Sequence, residues 1–238
     1  MKRVLLQPAH VLHRRPYREN SFLVELFTQD HGRMTVIAKG VRNTKGSNQG
    51  LLQPFIPLLV SWAGKSELVT LTHTEVGGEV IPLKGDRLFA GFYLNELLMG
   101  LLEKWDAHTA LYNYYSNTIT ELRSGELKEK TLRAFEKFLL EDLGYALLPK
   151  SDNSLHNTLL PDKFYRFIPE QGFVVSELGD GGDAKLFSGK SLLAIAAEDW
   201  DNNESLRDAK RLTRLILAPL LGARTIHSRR LFMPLGEE

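Results

Sequence analysis

Residues 21–39 read SFLVELFTQDHGRMTVIAK. Two runs of aromatic, β-branched and leucine residues flank the turn-forming triplet Asp30-His31-Gly32, so the stretch predicts two strands, Ser21–Thr28 and Arg33–Lys39. Phe22, Val24 and Leu26 alternate against Leu23, Glu25 and Phe27. The alternation is imperfect, as it is where both faces of a strand are partly covered. Outward from this pair the same pattern continues at Val11–His13, Leu51–Trp62 and Glu67–Thr74, with turns at Arg15-Pro16, Asn43 through Gly50 and Ala63-Gly64-Lys65. Five short antiparallel strands cannot leave their edges unpaired without inviting aggregation, so a small closed barrel is the economical arrangement. An OB-type barrel is the expectation; an SH3-like barrel is the nearest rival, and pattern alone barely separates them.

After Pro82 the pattern becomes helical. Asp86 stands as N-cap to a run from Arg87 to about Trp105 that is apolar on nearly every face, which predicts a helix wrapped by its neighbours. Amphipathic helices follow near 109–123 and 128–143, the second stopped by Gly144 in the left-handed conformation. A polar loop over 149–162 leads to a hairpin, Phe164–Ile168 and Phe173–Leu178. A Gly/Asp loop then precedes helices near 190–198 and 204–221, the last ending at Gly222. The predicted fold class is therefore α+β. A barrel domain covers 1–80, and a mainly α-helical domain covers 81–238, with a short β-hairpin insertion in the region 151–187.

Overall charge conceals a local asymmetry. The chain has 30 Lys and Arg against 29 Asp and Glu in 238 residues. Yet residues 1–46 hold nine cations, among them Arg14, Arg15, Arg18, Arg33, Lys39, Arg42 and Lys45, against three acids. Residues 205–230 hold seven against Asp208. In that segment Arg207, Lys210, Arg211 and Arg214 fall at i, i+3, i+4 and i+7, one face of a helix, and Arg229 and Arg230 follow. Two cationic patches on an otherwise acidic chain match a polyphosphate backbone, with weak sequence preference and strong salt dependence. Tyr17, beside Pro16 in the first patch, is the better candidate for stacking on a base; Phe22 and Phe55 read as core, and Trp62 lies near the same patch.

Catalytic and metal chemistry find little support. There is no cysteine, which removes disulfides and thiolate metal sites and fits a reducing cytoplasm. No apolar stretch approaches the roughly 18 residues of a membrane span. His10 and His13 sit three apart on a strand, on opposite faces, and read as surface histidines. Glu141–Asp142 and Glu198–Asp199 are adjacent on helices and diverge. The string Ala184-Lys-Leu-Phe-Ser-Gly189-Lys190-Ser191 imitates a phosphate loop, but the residues before it are glycine and aspartate rather than a strand. No catalytic residue, cofactor or metal is expected; a metal-dependent nuclease or nucleotide hydrolase acting on DNA is the rival reading.

Several strings, in this order and spacing, carry a family resemblance. They are Val11-Leu12, Arg14, Glu19-Asn20-Ser21, Phe27-Thr28, Gly32-Arg33, Ala38-Lys39-Gly40-Val41-Arg42 and Gly50-Leu51-Leu52-Gln53-Pro54-Phe55. Tyr93-Leu94-Asn95-Glu96-Leu97-Leu98, Leu132-Arg133-Ala134-Phe135-Glu136, Leu143-Gly144-Tyr145 and Ser228-Arg229-Arg230-Leu231-Phe232 complete the set. Through them the chain resembles the RecO family of bacterial DNA repair and recombination mediators over essentially its whole length. The resemblance implies an N-terminal OB-fold, a helical C-terminal domain, binding of single- and double-stranded DNA, and annealing of complementary strands in the cytoplasm, associated with the nucleoid. It also implies engagement of the C-terminal tail of single-stranded DNA-binding protein (SSB) and cooperation with RecR in loading RecA. That tail is acidic with an apolar end, so Lys130, Arg133 and Lys137, beside Leu132, Phe135 and Leu139, are its expected docking site, Arg133 foremost. Some relatives carry a four-cysteine zinc module in the hairpin region; without cysteine, this chain must hold the hairpin by packing Tyr165, Phe167, Phe173 and Val175.

Overall fold

The computed structural model describes residues 2–41, 50–65, 67–124, 127–145, 159–169, 171–177 and 185–232. The N-terminal strands are β1 (Lys2–Tyr17), β2 (Ser21–Thr28), β3 (Gly32–Ala38), β4 (Pro57–Gly64) and β5 (Val69–Val76). They close into a barrel in the order β1-β2-β3-β5-β4, with β4 returning to β1.

Three expectations are corrected here. First, β1 is far longer than Val11–His13. It pairs with β4 along Lys2–His10 and with β2 along Ala9–Tyr17, so one bent strand serves two partners. Pro16 is therefore no turn residue; it sits opposite Phe22, and the chain turns at Arg18–Asn20. Second, not every pair is antiparallel. Strand β5 lies parallel to β3 through Val36↔Val69 and Ile37↔Thr70, which a hairpin cannot make, because the connection carries β4 between them. Third, the fourth strand begins at Pro57 rather than Leu51, after Phe55 has bent the chain with φ +70°.

Inward positions of this sheet make the first core. Val24, Leu26, Met34, Val36 and Val60 are fully buried, with Leu52, Leu58 and Trp62 among them. Each such side chain contributes roughly 1.5–3 kcal/mol of transfer free energy.

Helices α1 (Asp86–Leu101) and α2 (Thr109–Arg123) follow. Asp86 is not the N-cap. Gly85 holds that position at φ 55°, and Asp86 lies in the first turn, where its negative charge is favourable beside the helix dipole's positive end. Helix α1 ends at Leu101, short of Trp105, because Leu102 is extended. By packing, the chain forms two compact units, Met1–Leu127 with Arg224–Glu238 and Lys128–Ala223. The reason lies in how α1 and α2 bind the barrel. Asn95 Nδ2 donates to the Leu12 carbonyl at 2.9 Å, and the ring of Tyr112 meets Phe27 edge-on at 5.4 Å. A final 3-10 turn, His227–Phe232, returns to α1, where Ser228 donates from N (2.9 Å) and Oγ (2.6 Å) to Glu96 Oε2.

The second unit contains α3 (Glu129–Asp142), the strands β6 (Phe164–Ile168), β7 (Gly172–Ser176) and β8 (Leu186–Ser188), and helices α4 (Gly189–Ala196) and α5 (Asn203–Leu221). Helix α3 ends as its sequence predicts. Gly144 adopts φ +84°, Gly144 N–H donates to the Glu141 carbonyl (3.0 Å) and Tyr145 N–H to that of Leu140 (2.8 Å). The expected hairpin is β6–β7, and β8 adds an unforeseen third strand in the order β7-β6-β8. Phe173 meets Phe167 at 5.4 Å and Phe187 at 5.9 Å, whereas Val175 is 57% exposed and takes no part in that packing. Residues 151–158 and 178–184 of the hairpin region lie outside the described residues. The architecture is mixed α+β.

Candidate nucleic-acid interface

At the β1–β2 turn the register gathers cations. Arg14, Arg15 and Tyr17 stand opposite Val24, Leu23 and Ser21, and the chain reverses through Arg18, whose φ is +51°. Ala38, at the end of β3, stands opposite Phe22, so exposed Lys39 emerges next to Ser21 and about two strand spacings, roughly 10 Å, from Tyr17. Two of the arginines rest on aromatic faces: Arg14 over Phe22 at 5.0 Å and Arg18 over Tyr17 at 5.2 Å. Such stacking orients a guanidinium without neutralising it. Arg15, Arg18 and Lys39 are exposed, and Glu19 is the acid within the turn. Arg42 and Lys45 lie outside the described residues.

Arg33 does not belong to this surface. Its side chain is only 14% exposed, Nη1 reaches Glu25 Oε2 at 3.2 Å, and Nε donates to the Leu102 carbonyl at 3.0 Å. A charge held by a carboxylate and a carbonyl inside the fold is a clamp, not a phosphate contact.

The C-terminal stripe is similarly divided. Arg211 reaches Asp208 Oδ1 at 3.0 Å, donates to the Leu186 carbonyl at 2.5 Å and stacks on Phe187 at 4.5 Å. Lys210 pairs with Glu129 at 3.3 Å at the surface, and Arg207 Nε donates to the Asn203 carbonyl. Arg214 is exposed. In the first unit, Arg229 is half-buried over the Tyr93 ring at 5.7 Å, while Arg230 is exposed.

The expected tail-docking trio is not one exposed cationic face. Arg133, 6% exposed, donates to Glu136 Oε1 at 2.7 Å, itself 1% exposed. Lys137 pairs with Glu198 at 2.7 Å and Glu141 at 3.2 Å. Burial works to lower its pKa, but the bonds and charges of Glu198 and Glu141 outweigh that and hold it above the ordinary lysine value. Lys130 alone of the three is exposed.

The histidine reading also changes. His10 is buried, not at the surface, with Nε2 3.3 Å from Ser116 Oγ. Among the described residues no group of three or more His, Asp or Glu is placed to hold a metal ion, and no helix is long and apolar enough to cross a membrane. The phosphate-loop imitation resolves into packing: β8 is antiparallel to β6, and a Cβ on Gly189 would lie 1.9 Å from the Leu160 carbonyl oxygen.

Two family models match the chain, Recombination protein O N terminal over residues 1–78 and Recombination protein O C terminal over residues 83–230. The chain belongs to the RecO family. It is 44% identical over 230 residues to DNA repair protein RecO of Coxiella burnetii (strain CbuG_Q212), covering 97% of this chain and 98% of the relative. It is 45% identical over 232 residues to that of Cellvibrio japonicus (strain Ueda107), 98% of each. For Dechloromonas aromatica (strain RCB) the identity is 42% over 234 residues, 97% of this chain and 96% of the relative.

Several RecO-like strings now have a physical purpose. Asn95 and Glu96 tie α1 to β1 and to the C-terminal turn, and the arginine and glutamate of Leu132-Arg133-Ala134-Phe135-Glu136 pair in the interior. The RecO models part near residue 80, whereas packing parts at 127, since α1 and α2 belong to the C-terminal family region yet cover the barrel. Sequence reading missed the cleft holding Trp105 and His31, because Trp105 looked like the end of a helix.

Proposed function

We propose that this chain is a RecO-type recombination mediator that acts in DNA repair and homologous recombination without breaking a covalent bond. Its barrel is read as an OB-fold, a reading supported by five strands in the order β1-β2-β3-β5-β4 with a parallel β3–β5 pair. The observation that carries the reading is the cluster of Arg14, Arg15, Arg18 and Lys39 at one end of that barrel. These cations hold phosphates and leave base edges free, so two strands approach with their repulsion screened and pair. Arg42 and Lys45, outside the described residues, are further candidate phosphate contacts. Arg207, Lys210 and Arg214 on α5 offer secondary contacts for a second strand or a duplex, and Arg230 of the first unit is a separate candidate contact. In this reading the protein engages SSB by its tail, with Lys130 the accessible cation, and works with RecR to load RecA on SSB-coated strands. The setting is cytoplasmic and close to the nucleoid.

Fluorescence anisotropy with labelled single strands and duplexes, paired with an annealing assay free of nucleotide, tests the proposal. Binding that weakens with salt and accelerates annealing supports it. Failure to retain either DNA at low salt rejects it, and cleavage of labelled DNA with magnesium supports the nuclease instead.

A further inference from the structure

The other end of β2 carries a second feature. Where β2 turns into β3, a cleft of about 290 Å³ is lined by Val4, His31, Trp62, Lys65, Glu67 and Trp105. The chain goes to some lengths to put Trp105 there. Its backbone N–H donates to the Arg33 carbonyl at 2.8 Å, Arg33 Nε holds the Leu102 carbonyl, and Thr109 Oγ1 donates to the Gln29 carbonyl at 3.0 Å. Gly32 is pressed so closely on this segment that a Cβ would lie 1.6 Å from the Asp106 carbonyl oxygen.

Held this way, Trp105 adopts φ +63°, a left-handed conformation that bulky residues rarely occupy. Its indole Nε1–H is buried with no acceptor among the described residues. Both features are unfavourable, and such features persist where surrounding structure over-determines them, most often at binding sites. What they achieve is an aromatic wall beside Trp62, which His31 meets edge-on at 5.2 Å. Exposed Lys65 and Glu67 form the rim. The volume is at the lower limit for a small-molecule site, large enough for one flat heterocycle and too small for a folded peptide element.

We propose that this cleft receives a single unstacked nucleobase of bound DNA, stacked on the Trp105 indole with the adjoining phosphate at the Lys65 ammonium. The Glu67 carboxylate accepts from the exocyclic amino group of the base, so cytosine, adenine and guanine are favoured over thymine. The inference rests on the DNA-binding reading above but not on the cationic turn, which lies at the opposite end of β2.

The chain has three tryptophans, Trp62, Trp105 and Trp200, so Trp200→Phe confines indole fluorescence to the barrel unit. Titrating that variant with oligo(dC) should quench the signal. Oligo(dT) of equal length should bind about tenfold more weakly, and Glu67→Gln should abolish the difference. Trp105→Leu should bind oligo(dC) about tenfold more weakly. If Trp105→Leu does not fold, an oligonucleotide of abasic residues, added to the Trp200→Phe protein, serves instead and should leave the fluorescence unquenched. Oligo(dC) binding without quenching, or undiminished in Trp105→Leu, overturns the assignment, and equal affinity for both homopolymers removes Glu67 from it. Absence of any oligo(dC) binding at low salt is a different failure, that of the DNA-binding reading itself.

Discussion

Tyr115 donates its hydroxyl to Asn95 Oδ1 at 2.6 Å, and the same asparagine donates from Nδ2 to the Leu12 carbonyl of β1 at 2.9 Å. Helix α2, helix α1 and the barrel are thus joined through one buried amide. Asn95→Leu removes this acceptor from the hydroxyl and this donor from the carbonyl, at a cost of about 2–4 kcal/mol. Tyr115→Phe breaks one bond and should cost less. Urea unfolding followed by circular dichroism measures both; an Asn95→Leu protein as stable as wild type rejects the linchpin role.

His10 makes the fold acid-sensitive. It is buried between Tyr112 and Tyr115, and burial first, then the charge of Arg123, lowers its pKa from the ordinary 6.5 to about 3. The unfolded chain therefore binds a proton below pH 6.5 that the folded chain refuses until pH 3. Stability from this residue is complete above that window and falls as pH drops through it, by about 2 kcal/mol at pH 5. His10→Gln should show a shallower decline in unfolding free energy between pH 7 and pH 5 than wild type.

Two glycines with left-handed backbones should respond differently to alanine. Gly32 has φ +65° and an added Cβ would run into the Asp106 carbonyl oxygen, whereas Gly40 has φ +73° and an added Cβ would meet nothing within 4 Å. Gly40→Ala should cost about 1 kcal/mol from backbone strain alone. Gly32→Ala adds a collision and should cost about 3–4 kcal/mol. Thermal unfolding of the pair tests the contrast, and similar melting temperatures reject it.

Charge alone does not identify a phosphate ligand. Replacing Arg15, Arg18 and Lys39 together by alanine should weaken single-strand binding and reduce the slope of log affinity against log salt by about 2, near 0.7 per contact. Arg33→Ala should lower stability and leave that slope unchanged. Anisotropy titrations over a range of salt separate the two effects.

The Arg133–Glu136 pair gives a complementary test. Arg133→Ala removes the guanidinium from a carboxylate that is 1% exposed and should lower stability by about 3–5 kcal/mol. Lys130→Glu should leave stability unchanged and weaken binding of an acidic tail peptide by calorimetry. Unchanged peptide affinity rejects Lys130 as a contact.

What the sequence made legible was local. Strand β2 is found at Ser21–Thr28 as read, and α2, α3 and β6 fall within a residue of expectation, because alternation and capping are properties of neighbours. The parallel β3–β5 pair was not legible, since it joins residues 33 apart through a strand that lies between them in sequence. Strand β1 was under-read because Arg14-Arg15-Pro16 has turn composition yet ends a paired strand opposite Phe22. Among candidate site residues, cation positions could be read but their partners could not: Glu25 captures Arg33 from the neighbouring strand, and Glu136 captures Arg133 from the next helical turn. Trp105 carried no signal, since its strained backbone is imposed by contacts with Gln29, Gly32 and Arg33, more than 70 positions earlier.

The return of Ser228 to Glu96 has a bearing on synthesis. The unit that holds the barrel is finished by a piece made after Lys128–Ala223, so a nascent chain leaving the ribosome cannot complete it until that other unit has emerged. Lys128–Ala223, bounded on both sides by that unit, has all its parts earlier. A fragment stopped at Leu127 would lack the turn that occupies the Glu96 carboxylate and covers Tyr93 and Phe89.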